Sequence, residues 1–146
     1  MRKLIEDVTT FQRTKRTWPS GVSPKPGHVT DRVMSGRLNF LKEELGELET
    51  AWHRDDLAEM GDALVDLIYV AIGTALMMGL PLEEMWDEVQ RANMDKQQVG
   101  AVGYKGGLIK PDGWKPPQHE SILAACGYRR EEWNPDENEL KAYDGY

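Results

Sequence analysis

The sequence predicts an all-α protein, a helical hairpin with flanking helices that forms a four-helix bundle through oligomerisation. Apolar residues recur at three- and four-residue steps through most of residues 30 to 93, the period of an amphipathic helix. Glycine and proline gather instead in two segments outside that stretch, near residues 17–29 and 97–117. At 146 residues the chain has the length of one domain. We read 1–117 as that domain, with a core at 30–96 and a Gly/Pro/Lys loop at 97–117, and 118–146 as a C-terminal extension.

Residues 3–16 form a loose helical stripe through Leu4, Ile5, Val8 and Phe11, before "TWPSGVSPKPGH" ends all periodicity in a loop. Val33, Met34, Leu38, Leu41, Leu45, Leu48 and Trp52 then share one face of a helix capped by Thr30 or Asp31 and ending near "HRDD". The next helix starts at Asp55 or Asp56 and stops before Gly79, which suits the position after a helix end. It is apolar nearly all round, so it is expected to be buried. A further helix opens at Pro81 and runs to about Asn93, with Leu82, Met85, Trp86 and Val89 on one face. Trp52 and Trp86, at stripe spacing, are expected in the core. Residues 97–117 read as a loop or short hairpin, "ESILAACGY" as a short helix, and the remainder as a polar tail or partner-covering arm.

Composition narrows the function. A formal charge of -7 and a pI near 5.0 disfavour a general nucleic-acid partner, which needs a basic surplus. Cys126 is the only cysteine, which excludes an intramolecular disulfide and a cysteine zinc site and fits a reducing cytoplasm. The first residues lack the apolar core of a signal peptide. The longest uncharged stretch, Leu67 to Leu82, falls short of the ~20 residues that cross a bilayer, so no membrane partner is expected.

The acidic residues are the informative ones. Glu43, Glu44 and Glu47 form E-E-x-x-E, Glu59 and Asp62 form E-x-x-D, and Asp66 stands one turn further on. A tight turn at "HRDD" makes their helices antiparallel neighbours and brings the two clusters to comparable heights. Any one of these glutamates could simply be solvated, and Glu59 could close a capping box with Asp56. Jointly, five or six converging carboxylates call for positive charge, and hard cations such as Mg²⁺ or Mn²⁺ take carboxylate oxygens and work with substrate phosphates. A di-iron bundle fails for want of E-x-x-H pairs, since His28, His53 and His119 lie in loops or the turn. Between Arg91 and Lys115 the charge reverses, with Arg91, Lys96, Lys105, Lys110 and Lys115 against Asp95 and Asp112.

"LKEELGELETA", "EMGDALVDLIYVAIGTALMMGL" and "MWDEVQRANMDK" together resemble the all-α nucleoside triphosphate pyrophosphohydrolases, the MazG-like and phosphoribosyl-ATP pyrophosphohydrolase-like group, over roughly residues 30–117. The resemblance implies cleavage between the α- and β-phosphates of a nucleoside triphosphate, with two or more Mg²⁺ or Mn²⁺ ions per site. It places Glu43, Glu44, Glu47, Glu59 and Asp62 on metal-binding positions, and Asn93 and Lys96 on a nucleotide-contacting S-N-M-x-K-like motif in which Ala92 replaces the serine. Glu43 or Glu44 is the candidate for taking the proton of the attacking water. Lys96 with Lys105, Lys110 or Lys115 would hold the outgoing pyrophosphate.

Trp18, Phe11, Tyr69 and Trp114 are candidates for packing on the base, with dGTP or dATP favoured over dUTP or dCTP. Asp66 is open between a sixth ligand, a hydrogen-bond partner for Asn93 or Lys96, and a capped polar spot in the bundle. A homodimer or homotetramer is expected, because one hairpin plus one helix exposes too much apolar surface. The rival readings are an enzyme specific for phosphoribosyl-ATP and a non-catalytic helical oligomerisation protein.

Overall fold

The computed structural model describes residues 1–15, 21–99 and 107–130, with the side chain of residue 99 outside that description. Among these the chain is helical: α1 (Arg2–Lys15), α2 (Asp31–His53), α3 (Leu57–Met77), α4 (Leu82–Met94) and α5 (His119–Ala125), with one two-stranded antiparallel hairpin of β1 (Gln97–Val99) and β2 (Gly107–Ile109). The chain forms two compact units, one built on Met1–Leu80 and the other on Pro81–Gly127.

The first unit is organised by local signals that the sequence displays. Thr30 caps α2, its Oγ1 accepting from the Val33 amide at 3.3 Å. Asp56 caps α3 by accepting from the amides of Ala58 and Glu59, both at 3.2 Å. Between them Asp55 adopts φ 53°, a left-handed conformation that an aspartate tolerates, and the chain reverses within a few residues. α3 ends as expected at Gly79, whose φ of +63° closes the helix. A Cβ there would stand 2.2 Å from the Lys25 carbonyl oxygen, because residues 23–27 run beside the end of α3 and donate from Ser23 to the Leu76 carbonyl and from Gly27 to the Met78 carbonyl, each at 2.9 Å.

Small residues bring the helices of this unit together. Ala51 of α2 and Ala63, Ile72, Ala75 and Leu76 of α3 are buried, as are Val8 and Gln12 of α1. Short side chains let backbones approach closely, so α2 and α3 pack along an alanine seam.

That seam corrects the expected core. Leu38, Leu45 and Trp52 of the α2 stripe are 46%, 57% and 60% exposed, and α3, expected to be buried, leaves Leu57, Leu64, Val65 and Ile68 open to solvent over its first half. Trp86, also expected inside, is 54% exposed. The periodicity identified an apolar face correctly, but it is only partly covered, with Val33, Met34, Leu41 and Leu48 half-buried. By length and hydropathy alone α3 would suffice to cross a bilayer, a test that the core helix of a soluble protein also passes.

The second unit is a strap on a helix. Trp114 donates its indole N–H to the Ala92 carbonyl at 2.8 Å, and the Lys110 ammonium sits 4.5 Å from the centroid of the same ring. Arg91 pairs with Glu88 at 2.8 Å and Asp95 at 2.7 Å, and also donates to the carbonyls of Lys115 and Pro116. The Gln118 amide completes the knot by donating to Glu88 at 3.1 Å. These bonds hold Glu88 below the ordinary carboxylate range, the Arg91 hydrogen bond first and the Gln118 amide second.

Candidate active site

The hairpin brings both acidic motifs to one side of the α2–α3 seam. Glu44 and Glu47 lie either side of the buried Ala51 on the helical wheel of α2, and Asp62 and Asp66 fall one turn apart on α3 next to the buried Ala63. Glu44 and Asp66 are half-buried, while Glu43, Glu47, Glu59 and Asp62 are exposed. The Glu44 carboxyl is pushed above its ordinary value by partial burial first, then by the negative charges of Glu47, Asp66, Glu43 and Asp62. Two of those four charges come from the facing helix, so the clusters stand at matching heights.

Among the described residues no lysine, arginine or histidine forms an ion pair with any of these six carboxylates. Like charges at i,i+3 and i,i+4 repel. Their oxygens accordingly stand apart, and among the described residues no three of them gather closely enough to enclose one ion. The donor set is nevertheless all carboxylate, the kind that hard divalent cations take.

Two expectations change in detail. Glu59 is absent from the charges acting on Glu44. Nor does it close a capping box: the Asp56 amide that it would accept from donates instead to the Ala51 carbonyl at 3.0 Å, so only Asp56's half of the box forms. Asp66 leans towards the acidic cluster, its charge acting on Glu44.

Tyr69, one turn beyond Asp66, packs edge-on against Phe11 of α1 with ring centroids 5.6 Å apart at 80°. Burial and the nearby Asp7 raise its phenol above the usual range. Trp18 and Lys105 lie outside the described residues. Asn93, Lys96 and Lys110 belong to the second unit, where Lys96 donates to the Asn93 side chain at 2.8 Å and Lys110 stacks on Trp114. Ala92, in the place of the motif's serine, is 1% exposed beneath the strap. Trp114, a candidate for the base, is the pin of that strap.

Sequence reasoning missed a polar junction two turns along the same seam. Gln12 of α1 donates from Nε2 to the Gly73 carbonyl at 3.0 Å, and Arg37 of α2 donates to Thr74 Oγ1 at 3.0 Å and the Val70 carbonyl at 2.8 Å. Its one sequence signal was Arg37, seven residues before Glu44 and therefore on the same helical face.

The all-α architecture and the carboxylates facing one another across its hairpin fit a helical nucleotide pyrophosphohydrolase. The phosphoribosyl-ATP pyrophosphohydrolase family matches residues 10–93, and the chain belongs to that family. The match begins within α1 and takes in the whole acidic hairpin and Asn93. No curated protein matches the chain.

Proposed function

We propose that this pyrophosphohydrolase is a Mg²⁺- or Mn²⁺-dependent enzyme acting on nucleoside triphosphates, with purine deoxynucleotides as its leading substrates. The observation that carries the reading is Glu44, a half-buried carboxylate facing four others from two helices with no side-chain cation among the described residues to offset them. Glu43, Glu44, Glu47, Asp62 and, from the end of its helix, Glu59 would hold the cations. When bound, such ions neutralise the triphosphate and make a water molecule acidic enough to act as hydroxide near neutral pH.

The chain's own residues supply the rest. Glu44, half-buried between the two helices, is suited to accept the proton of the attacking water, with Glu43 beside it. Water oxygen bonds to the α-phosphorus as the bond to the α–β bridging oxygen breaks, so the products are the monophosphate and pyrophosphate. Lys96 and Lys110 are the cations assigned to the departing pyrophosphate, and Tyr69 and Trp18 the aromatic groups assigned to the base. The exposed leucines of α2 and α3 support association of copies into a four-helix bundle, as dimer or tetramer.

The family match favours a second reading, phosphoribosyl-ATP as the substrate. One incubation with Mn²⁺, a panel of ribo- and deoxynucleoside triphosphates and phosphoribosyl-ATP, read as monophosphate and pyrophosphate, separates the two. Glu47→Gln and Asp62→Asn are expected to abolish turnover with helix content intact. Full activity in both variants would sink the site assignment, and neither saturable Mn²⁺ binding nor pyrophosphate release would leave a non-catalytic helical protein.

A further inference from the structure

Among the described residues of the first unit, the side chain of Gln12 carries the buried polar atom left without a hydrogen bond. The residue is 4% exposed, its Nε2 is bonded to the Gly73 carbonyl, and its Oε1 is buried with no hydrogen-bond partner among the described residues. Leaving such an acceptor unmade costs free energy that an apolar side chain would avoid. An unpaired buried amide oxygen in a native core therefore asks for an explanation.

Its surroundings are built around it. Gly73 has no Cβ, and one placed there would lie 2.7 Å from Gln12 Nε2 and 3.1 Å from the Arg37 Nη2, so the amide and the guanidinium converge on that glycine. Gly21 approaches from the other side, where a Cβ would lie 3.1 Å from Oε1 itself. The preceding residue on α1, Phe11, is 47% exposed and stands edge-on to Tyr69.

Position along the seam supplies the ligand. Gly73 is seven residues beyond Asp66 on α3, and Arg37 seven before Glu44 on α2, so on both helices the junction lies about 10 Å from the acidic cluster and on the same face. Tyr69 falls between the two on α3. Along the seam from the carboxylates, the Phe11–Tyr69 pair and then Gln12 are the groups that follow in order.

We propose that Gln12 is the specificity-determining residue of the nucleobase subsite, its Oε1 accepting a hydrogen bond from an exocyclic amine of the base. The proposal rests on the nucleotide-hydrolysing reading above. Nε2 spends one of its two N–H groups on the Gly73 carbonyl, whereas Oε1 is the atom without a partner among the described residues, so bases carrying an amine that can donate to it are favoured over those lacking one. A site built to bond a polar group discriminates strongly against the analogue that lacks it.

Three substrate pairs differ by one such amine: dATP against dITP, dGTP against dITP, and dCTP against dUTP. Wild type is expected to prefer the amine-bearing member of at least one pair by about tenfold or more in kcat/KM. Gln12→Met, which keeps the side chain's length and removes both polar atoms, is expected to collapse that ratio towards one. Gln12→Glu is the second variant: a buried carboxyl takes up a proton, donates to Gly73 and keeps an acceptor for the base, so it retains most of the preference. A merely structural Gln12 predicts instead a uniform loss of kcat/KM on all bases with the ratio unchanged. That result, or a wild type with no amine preference in any pair, overturns the inference while leaving the hydrolase reading intact. A wild type inactive on every nucleotide overturns the hydrolase reading.

Discussion

Gly73 and Gly61 lie on the same helix, and replacing each by alanine should move stability in opposite directions. In a helix interior alanine is better than glycine by about 1 kcal/mol, because glycine loses more backbone freedom on folding. At Gly61 nothing stands within 4 Å of an added methyl, so Gly61→Ala should realise most of that gain. At Gly73 the methyl would meet Gln12 Nε2 at 2.7 Å and Arg37 at 3.1 Å, and Val8 at 3.6 Å. Gln12 cannot yield without losing its bond to the Gly73 carbonyl, a net loss of about 1 kcal/mol, and overpacking adds roughly 1–3 kcal/mol. Set against the helical gain, Gly73→Ala should be destabilising by about 1–3 kcal/mol. At roughly 4 °C per kcal/mol the two variants should straddle wild type in melting temperature. The assay is thermal and urea unfolding followed by circular dichroism, at one fixed protein concentration so that association does not shift the midpoint. A Gly73→Ala protein as stable as Gly61→Ala would show that α1 does not dock through Gln12.

Three further outcomes follow from named groups. Because the folded-state pKa of Glu44 is raised above the ordinary 4.5, folding binds a proton there: its contribution is most favourable below 4.5 and is lost as pH rises through the raised value. In chelator, Glu44→Gln should therefore be more stable than wild type at neutral pH, with the difference shrinking on acidification; a pH-independent difference in melting temperature refutes the charge crowding. Glu88 has the opposite sign, since its folded-state pKa is lowered: its stabilisation is full above 4.5 and is lost as pH falls through the depressed value, so wild type and Glu88→Gln should differ at neutral pH and converge in acid, read by hydrogen exchange of the Gln118 amide. Trp114→Phe removes the bond to the Ala92 carbonyl, worth about 1 kcal/mol, and should raise exchange across residues 110–118 while the amides of α2 and α3 keep their protection.

What could be read in advance was local. Thr30, Asp56 and Gly79 act within a few residues of themselves, so their spacing was enough to place the ends of α2 and α3. The acidic pairing was legible for the same reason, because a tight turn leaves one antiparallel arrangement. Trp52 and Trp86 were misplaced because a stripe reveals that a face is apolar and says nothing of which partner covers it. Glu59 was half misread: the capping-box pattern fits, yet the Asp56 amide had a closer acceptor in Ala51. Gln12 was invisible, since its partner is 61 residues away and a glutamine on a helix otherwise reads as surface.

The position of Asp66 follows from the same geometry. α3 meets α1 at Gly73, buries Ala63, Ile72 and Leu76, and leaves Leu57, Leu64, Val65 and Ile68 outward. A helix with so many apolar directions has few places for a carboxylate. Asp62 and Asp66 occupy the narrow arc beside the alanine seam, where their charges act on Glu44 and they share a face with Gly73. Small residues are what keep that arc open: a leucine at Ala63 or Ala51 would separate the helices and carry the two acidic motifs apart. The apolar character of α3 and its carboxylates are thus parts of one arrangement, in which close helix contact sets the distance between charges.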